Sequence, residues 1–148
     1  MEIERKYLID NIPFDLKQYP HQNIAQGYLS TNPVVRIRRC NDEYILTYKG
    51  KGLMVREEYN LPLTKESFEH MIPKCDGRFI EKTRYLIPYM EKYTIELDVF
   101  SNDLSPLILA EVEFDSEEDA NTFLPPEWFG EDVTFSSKYH NSNLSKID

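Results

Sequence analysis

The residues that could do chemistry come at alternate positions along several short stretches. They are Glu2, Glu4 and Lys6; Arg36 and Arg38; Thr47 and Lys49; Arg56 and Glu58; Lys82 and Arg84; Glu96 and Asp98; and Glu111 and Glu113. In a β-strand, residues i, i+2 and i+4 point to one face, so each set places its charges side by side. The signs are segregated: one stretch offers only arginines, and two offer only acids. A face built for solubility interleaves them. If the acidic strands meet, their paired carboxylates form a nest that needs cations, and donors that are all oxygen select hard divalent ions such as Mg²⁺ or Mn²⁺. Arginines facing such ions match the oxygens of a polyphosphate, since a guanidinium fork fits phosphate geometry. No glycine-rich phosphate loop occurs, so side chains must grip the anion. For Glu2-x-Glu4-x-Lys6 alone, a merely solvated strand face is the simpler account.

The elements that must position these residues are mostly strands. Period-two alternation predicts strands over residues 2–9, 23–30, 34–40, 43–49, 54–61, 78–87, 93–100 and 107–115. Short helices are expected over 14–19, over 65–72, after the Ser116 cap with its acidic turn Glu117-Glu118-Asp119, and over 136–144. Eight short strands joined by tight turns predict an all-β-dominated (α+β) fold. The expected form is a closed eight-stranded antiparallel β-barrel forming a tunnel with a few flanking helices. Residues 1–148 are read as a single domain.

Composition narrows the partners. The chain has 148 residues and a formal net charge of −9, a poor surface for nucleic acid or an anionic membrane. No apolar run approaches the ~20 residues of a membrane helix. Charge within the first two residues argues against a signal peptide. Cys40 and Cys75 lack metal-ligand spacing and read as reduced packing residues of a cytoplasmic protein.

The ordered set of charged pairs resembles the CYTH superfamily, the triphosphate tunnel metalloenzymes. The resemblance opens on Glu2-x-Glu4-x-Lys6 and runs through Gln26-Gly27-Tyr28-Leu29, Arg36-x-Arg38, Thr47-x-Lys49 and Arg56-x-Glu58. It continues through Lys82-x-Arg84, Glu96-x-Asp98 and Glu111-x-Glu113 to Lys138. It implies Glu2, Glu4, Glu111 and Glu113 as metal carboxylates with Asp98 nearby. It implies Lys6, Arg36, Arg38, Lys49, Arg56, Lys82, Arg84 and Lys138 as substrate ligands. In similar tripolyphosphatases a tyrosine–lysine pair at the positions of Tyr28 and Lys49 is tied to hydrolysis. A lysine crowded by cations could act as a base, or Lys49 could be one more phosphate clamp. Asn60 departs from the acid expected there.

The resemblance implies divalent-metal-dependent hydrolysis of a triphosphate, closest in its traits to the compact bacterial inorganic tripolyphosphatases. Thiamine triphosphate or ATP are the other candidate substrates, with a class IV type adenylate cyclase as the alternative reaction and a homodimer as a possible assembly. A non-catalytic polyphosphate or nucleotide binder is the rival of another class, but it would not need the carboxylate pairs. Among the remaining residues, His140 reads as a surface or capping histidine, Trp128 as packing, and Lys51 either reaches a substrate or keeps its glycine loop soluble.

Overall fold

A computed structural model describes residues 1–146. Its strands are β1 (Glu2–Leu8), β2 (His21–Thr31), β3 (Val34–Cys40), β4 (Glu43–Lys49), β5 (Val55–Arg56), β6 (Glu58–Pro62), β7 (Asp76–Tyr89), β8 (Tyr93–Phe100) and β9 (Ile108–Glu113). Three helices accompany them: α1 (Lys65–Met71), α2 (Glu117–Thr122) and α3 (Asn141–Leu144). The strands form one sheet in the order β5-β1-β9-β8-β7-β2-β3-β4-β6, with antiparallel pairing throughout.

The two ends of that order are consecutive in the chain, parted only by Glu57. The single strand expected over 54–61 is therefore broken. Its first part pairs with β1, Glu2 opposite Arg56, and its second with β4, Lys49 opposite Glu58. One strand that passes from one sheet edge to the other nearly closes the barrel, and its break makes nine strands of the expected eight. The helix expected over 14–19 contracts to a 3₁₀ turn at Leu16–Gln18. The one expected over 136–144 becomes a 3₁₀ turn at Ser137–Tyr139 followed by α3.

Outward-facing apolar residues anchor what covers the barrel. Tyr7, Ile95, Leu97, Ala110 and Val112 are buried with Ala120 of α2 and with Phe123, and Trp128 and Phe129 pack against them. The Tyr7 and Phe129 rings lie 4.8 Å apart and those of Phe114 and Phe123 5.1 Å apart. Each fully buried large aliphatic is worth about 1.5–3 kcal/mol, which holds this segment to the wall. Ser116 caps α2 by accepting from the Asp119 amide, and the helix opens on three acids, as its dipole favours. On the other side α1, held by a Thr64–Ser67 capping box, seats Phe68 5.1 Å from the Tyr44 ring.

Gly27 points outward at this contact. A Cβ there would stand 2.8 Å from the Phe79 ring and 2.9 Å from Cys75 Sγ, so only glycine permits the approach. Its neighbours Gln26 and Tyr28 consequently face inward.

A second apolar cluster lies inside the barrel. Ile80, Phe100, Leu109 and Val133 join Tyr28 and Val34, with Tyr139 and Leu144 of the C-terminal segment packed on them. This plug closes one end and leaves the polar rows to line the rest. Among the described residues no helix is long and apolar enough to cross a membrane.

Candidate active site

Antiparallel register sets residues directly opposite one another on the same face. It places Glu4 opposite Glu113, Lys6 and Glu96 opposite Glu111, Arg84 opposite Asp98, Tyr28 opposite Arg36, Gln26 opposite Arg38, and Thr47 opposite Arg36 and Asn60. The interior they enclose is a cavity of about 300 Å³. Of the expected site residues, Glu2, Glu4, Lys6, Tyr28, Arg36, Arg38, Lys49, Arg56, Arg84, Glu111 and Glu113 line it.

Three expected residues do not. Asp98 is fully buried beside the plug, with Lys82 Nζ 2.7 Å from Oδ2 and the Arg84 fork at 2.7 and 2.9 Å. Its lone pairs are taken by two cations, which outweigh burial and lower its pKa. It anchors Arg84. Lys82 is equally enclosed, pushed down to about 7 by burial against the pull of Asp98, and it does not reach the cavity. Both residues have the inward face that their spacing implied, but they sit one step too near the plug. Glu96, two residues before Asp98, reaches the cavity instead. Lys138 is exposed on its 3₁₀ turn, with Nζ 5.2 Å from the Tyr139 ring centroid. The residues of that segment lining the cavity are His140, Asn141 and Ser142.

The carboxylates differ sharply in their partners. Glu111 is held well below the usual range, because Lys6 at 3.3 Å and Arg84 at 3.6 Å overcome the effect of burial. Glu4 has no ion pair among the described residues. Burial, then the charges of Glu111 and Glu2, push its carboxyl up to about 8. Burial likewise raises Glu113 and Glu96. A carboxyl that holds its proton at neutral pH for want of a cation, opposite a second raised carboxyl, fits a hard divalent ion. Among the described residues no three acids, histidines or cysteines converge into a ready-made cage. That also fits Mg²⁺-type binding, in which one or two carboxylates are completed by water and substrate oxygens. Glu4 and Glu113 are the residues placed to hold such an ion.

The opposite wall is basic. Arg36, Arg38 and Arg56 form no ion pair among the described residues. Arg36 donates from Nη2 to Thr47 Oγ1 at 3.2 Å, and its buried Nε has no partner. Arg38 donates from Nε to Gln26 Oε1 at 2.8 Å. Burial, then Arg36 and Arg84, push Arg38 down to about 9, so it stays charged at neutral pH. Buried cations without a counter-ion are costly, and an entering anion relieves that cost.

Two side-chain relays, both built on neutral residues, brace these arginines. In one, the fully buried Gln26 accepts from Arg38 and donates to the Tyr28 hydroxyl at 3.3 Å, leaving that hydroxyl's own proton free to donate. In the other, Thr47 accepts from Arg36 and donates to Asn60 Oδ1 at 2.6 Å, while Asn60 donates to Glu58 at 3.2 Å. The amide at 60 does what an acid could not, accepting on one side and donating on the other. Burial works to raise Glu58, but the hydrogen bond from Glu2, then Lys49 and Asn60, hold it down at about 2. Glu2 is raised, chiefly by burial and against the pull of Lys49.

Lys49 Nζ lies 3.0 Å from Glu2 and 3.5 Å from Glu58, so its nearest charges are carboxylates. Tyr28 and Lys49 line the same cavity, with no hydrogen bond between them among the described residues.

Thr47 and Glu96 stand in the charged rows read from sequence, and Gln26 and Asn60 in or beside the matched motifs, but none of the four was given a metal or substrate role there. His140, expected at the surface, lines the cavity and is pushed down to about 4 by burial and then Lys6. An isolated histidine on a short turn carries no periodic signal.

A nearly closed antiparallel barrel opposes a carboxylate wall to a guanidinium wall, an arrangement that fits a polyanion together with a divalent cation. The family model for the CYTH domain matches residues 1–148, and the chain belongs to that family, whose membership implies a divalent metal cofactor. It is 43% identical over 148 residues to an inorganic triphosphatase of Nitrosomonas europaea, covering 97% of this chain and 96% of the relative. It is 32% identical to an inorganic triphosphatase of Acetivibrio thermocellus, covering 98% and 93%. A crystal structure of an inorganic triphosphatase superposes with a TM-score of 0.74 at 39% identity, covering 100% of this chain and 96% of that one.

Proposed function

We propose that this protein hydrolyses inorganic tripolyphosphate with Mg²⁺ or Mn²⁺. The observation that carries the reading is the pairing of Arg36 and Arg38, buried cations lacking an anion, with Glu4, a carboxyl lacking a cation, in one cavity. A triphosphate–metal complex supplies both missing partners. The two 32% and 43% identical relatives named inorganic triphosphatase support the same substrate.

The metal, when bound, supplies Lewis-acid neutralisation of charge on phosphoryl oxygens. Glu4 and Glu113 would hold it, the metal's charge favouring their ionised forms. Arg36 and Arg38 clamp phosphate oxygens and stabilise the negative charge that gathers as the phosphoanhydride bond breaks, a task of positioning and electrostatics. Arg84 is aimed into the cavity by its fork on Asp98, and the free proton of Tyr28 donates to a substrate or leaving oxygen. Lys49, braced between two carboxylates, acts as a charged clamp.

The test is a phosphate-release panel with tripolyphosphate, thiamine triphosphate and ATP in Mg²⁺ and in Mn²⁺, assayed also for cyclic AMP. Tripolyphosphate is expected to give the highest kcat/KM, because the charged side chains lining the tunnel are ligands for phosphate. A better rate with ATP, or cyclic AMP as product, sinks the substrate assignment.

A further inference from the structure

A second cavity of about 410 Å³ lies between the Gly50-Lys51-Gly52-Leu53 loop and the Ser137–Asn143 segment. It adjoins the tunnel: Val34, Lys49, Arg56, His140 and Ser142 line both. Its composition is the reverse of the tunnel's acid wall. Lys49, Lys51 and Arg56 line it with Asn32, His140 and Asn143, and no Asp or Glu does. In a chain with 26 acidic and 17 basic residues, a lining without acids is a strong local departure; Lys49 is ion-paired with Glu2 and Glu58 from the tunnel side, which leaves Lys51 and Arg56 as its cations without an ion pair among the described residues.

Arg56 gives the chamber its character. Its side chain belongs to a residue only 9% exposed. It donates from Nε to the Gly50 carbonyl at 3.1 Å and forms no ion pair among the described residues. Its terminal nitrogens face the cavities it lines and are available to an anion. The Arg56 bond also pins the loop that carries Lys51, as does the Gly50 amide bond to the Glu57 carbonyl at 2.9 Å. Gly52 has φ +127, and a Cβ there would sit 2.2 Å from the Val55 carbonyl oxygen, so the tight turn presenting Lys51 requires glycine.

We propose that this chamber is a second, metal-independent phosphate subsite, which takes a phosphoryl group beyond the three held in the tunnel. The proposal rests on the triphosphate reading of the tunnel. With no carboxylate on its walls, the chamber has nothing to hold a divalent ion and must neutralise the anion with Lys51 and Arg56 directly. One chemistry has two sources: the fourth phosphate of a longer inorganic polyphosphate, or orthophosphate released in the tunnel.

The full chain is titrated calorimetrically in EDTA with orthophosphate, tripolyphosphate and tetrapolyphosphate. Wild type is compared with Lys51→Gln, Lys51→Glu and Lys17→Glu, the last giving the same charge change outside the chamber. Tetrapolyphosphate is expected to bind wild type about fivefold or more tighter than tripolyphosphate, and Lys51→Glu is expected to erase that advantage while Lys17→Glu keeps it. If orthophosphate binding instead is lost in Lys51→Glu alone, the chamber serves released product. The proposal is overturned if the Lys51 variants bind all three anions as wild type does, or if Lys17→Glu acts as strongly as Lys51→Glu. A null phosphate-release panel alongside Lys51-dependent binding would remove the hydrolase reading and leave the subsite. Active enzyme with Lys51-independent binding would do the reverse.

Discussion

The wall formed by β7, β8, β9 and β1 and the wall formed by β2, β3 and β4 both face the tunnel with charge, but they treat it in opposite ways. On the first, charges answer one another: Asp98 holds Lys82 and Arg84, and Glu111 holds Lys6 and Arg84. On the second, Arg36 and Arg38 are braced only by the neutral Thr47 and Gln26. The paired charges build the barrel interior, and the unpaired ones keep affinity in reserve for a ligand. Glu4 and Glu113 are the exceptions on the first wall, acids without an ion pair among the described residues, and under the proposed function they are the residues that would hold the metal.

The largest effect that separates the walls is expected from Asp98→Asn. It strands Lys82 and loosens Arg84 in a dry interior, and breaking such a buried pair costs about 3–5 kcal/mol. Urea unfolding of the metal-free protein should show that loss; a change below about 1 kcal/mol would mean the pair does not hold the wall.

Glu4→Gln should act in the other direction. A folded carboxyl raised to about 8 from an ordinary 4.5 keeps a proton that the unfolded chain releases, so wild-type stability falls as pH rises between those values. Below pH 4.5 variant and wild type should unfold alike. By pH 8 the metal-free variant should be more stable by on the order of 1–3 kcal/mol, allowing for partial solvation, and it should lack metal-dependent activity. Melting temperatures measured across that window check the sign. A variant less stable than wild type at pH 8 would show that Glu4 has a cationic partner after all.

Arg36→Met and Arg38→Met come next. Each removes a charge-assisted contact worth about 1.5–3 kcal/mol, roughly 10- to 150-fold in kcat/KM. Because neither arginine has an ion-pair partner to strand among the described residues, the ligand-free variants should melt at or above the wild-type temperature. Loss of stability without loss of kcat/KM would assign these arginines to the structural set.

The smallest expected effect tests the relay. Asn60→Asp abolishes the hydrogen bond to Glu58 and sets a second carboxylate beside it, which should raise the Glu58 pKa above its value of about 2. Titration by carboxylate NMR reads the shift directly, and kcat/KM should fall by about tenfold or less, the worth of one hydrogen bond. An unmoved Glu58 would exclude the Asn60 link.

The sequence by itself determined which residues share a face. Period-two spacing is a local property of an extended backbone, so Arg36 and Arg38, Glu2 and Glu4, and Glu111 and Glu113 could be assigned to one face each before any strand was paired. It also determined the Ser116 cap. What only the tertiary structure decided was depth and partnership. Asp98 and Glu96 have the same local signal, yet stagger between strands sets one against the apolar plug and the other in the cavity. Lys49 was legible as an inward cation, but that its neighbours are Glu2 and Glu58 depends on the strand broken at Glu57, which brings β1 and β4 together. His140 reaches the tunnel because the C-terminal segment folds across the barrel end, a contact between residues more than a hundred positions apart. Spacing along the chain fixes a side chain's face, whereas its charge partners, and so its chemistry, are set by chain closure.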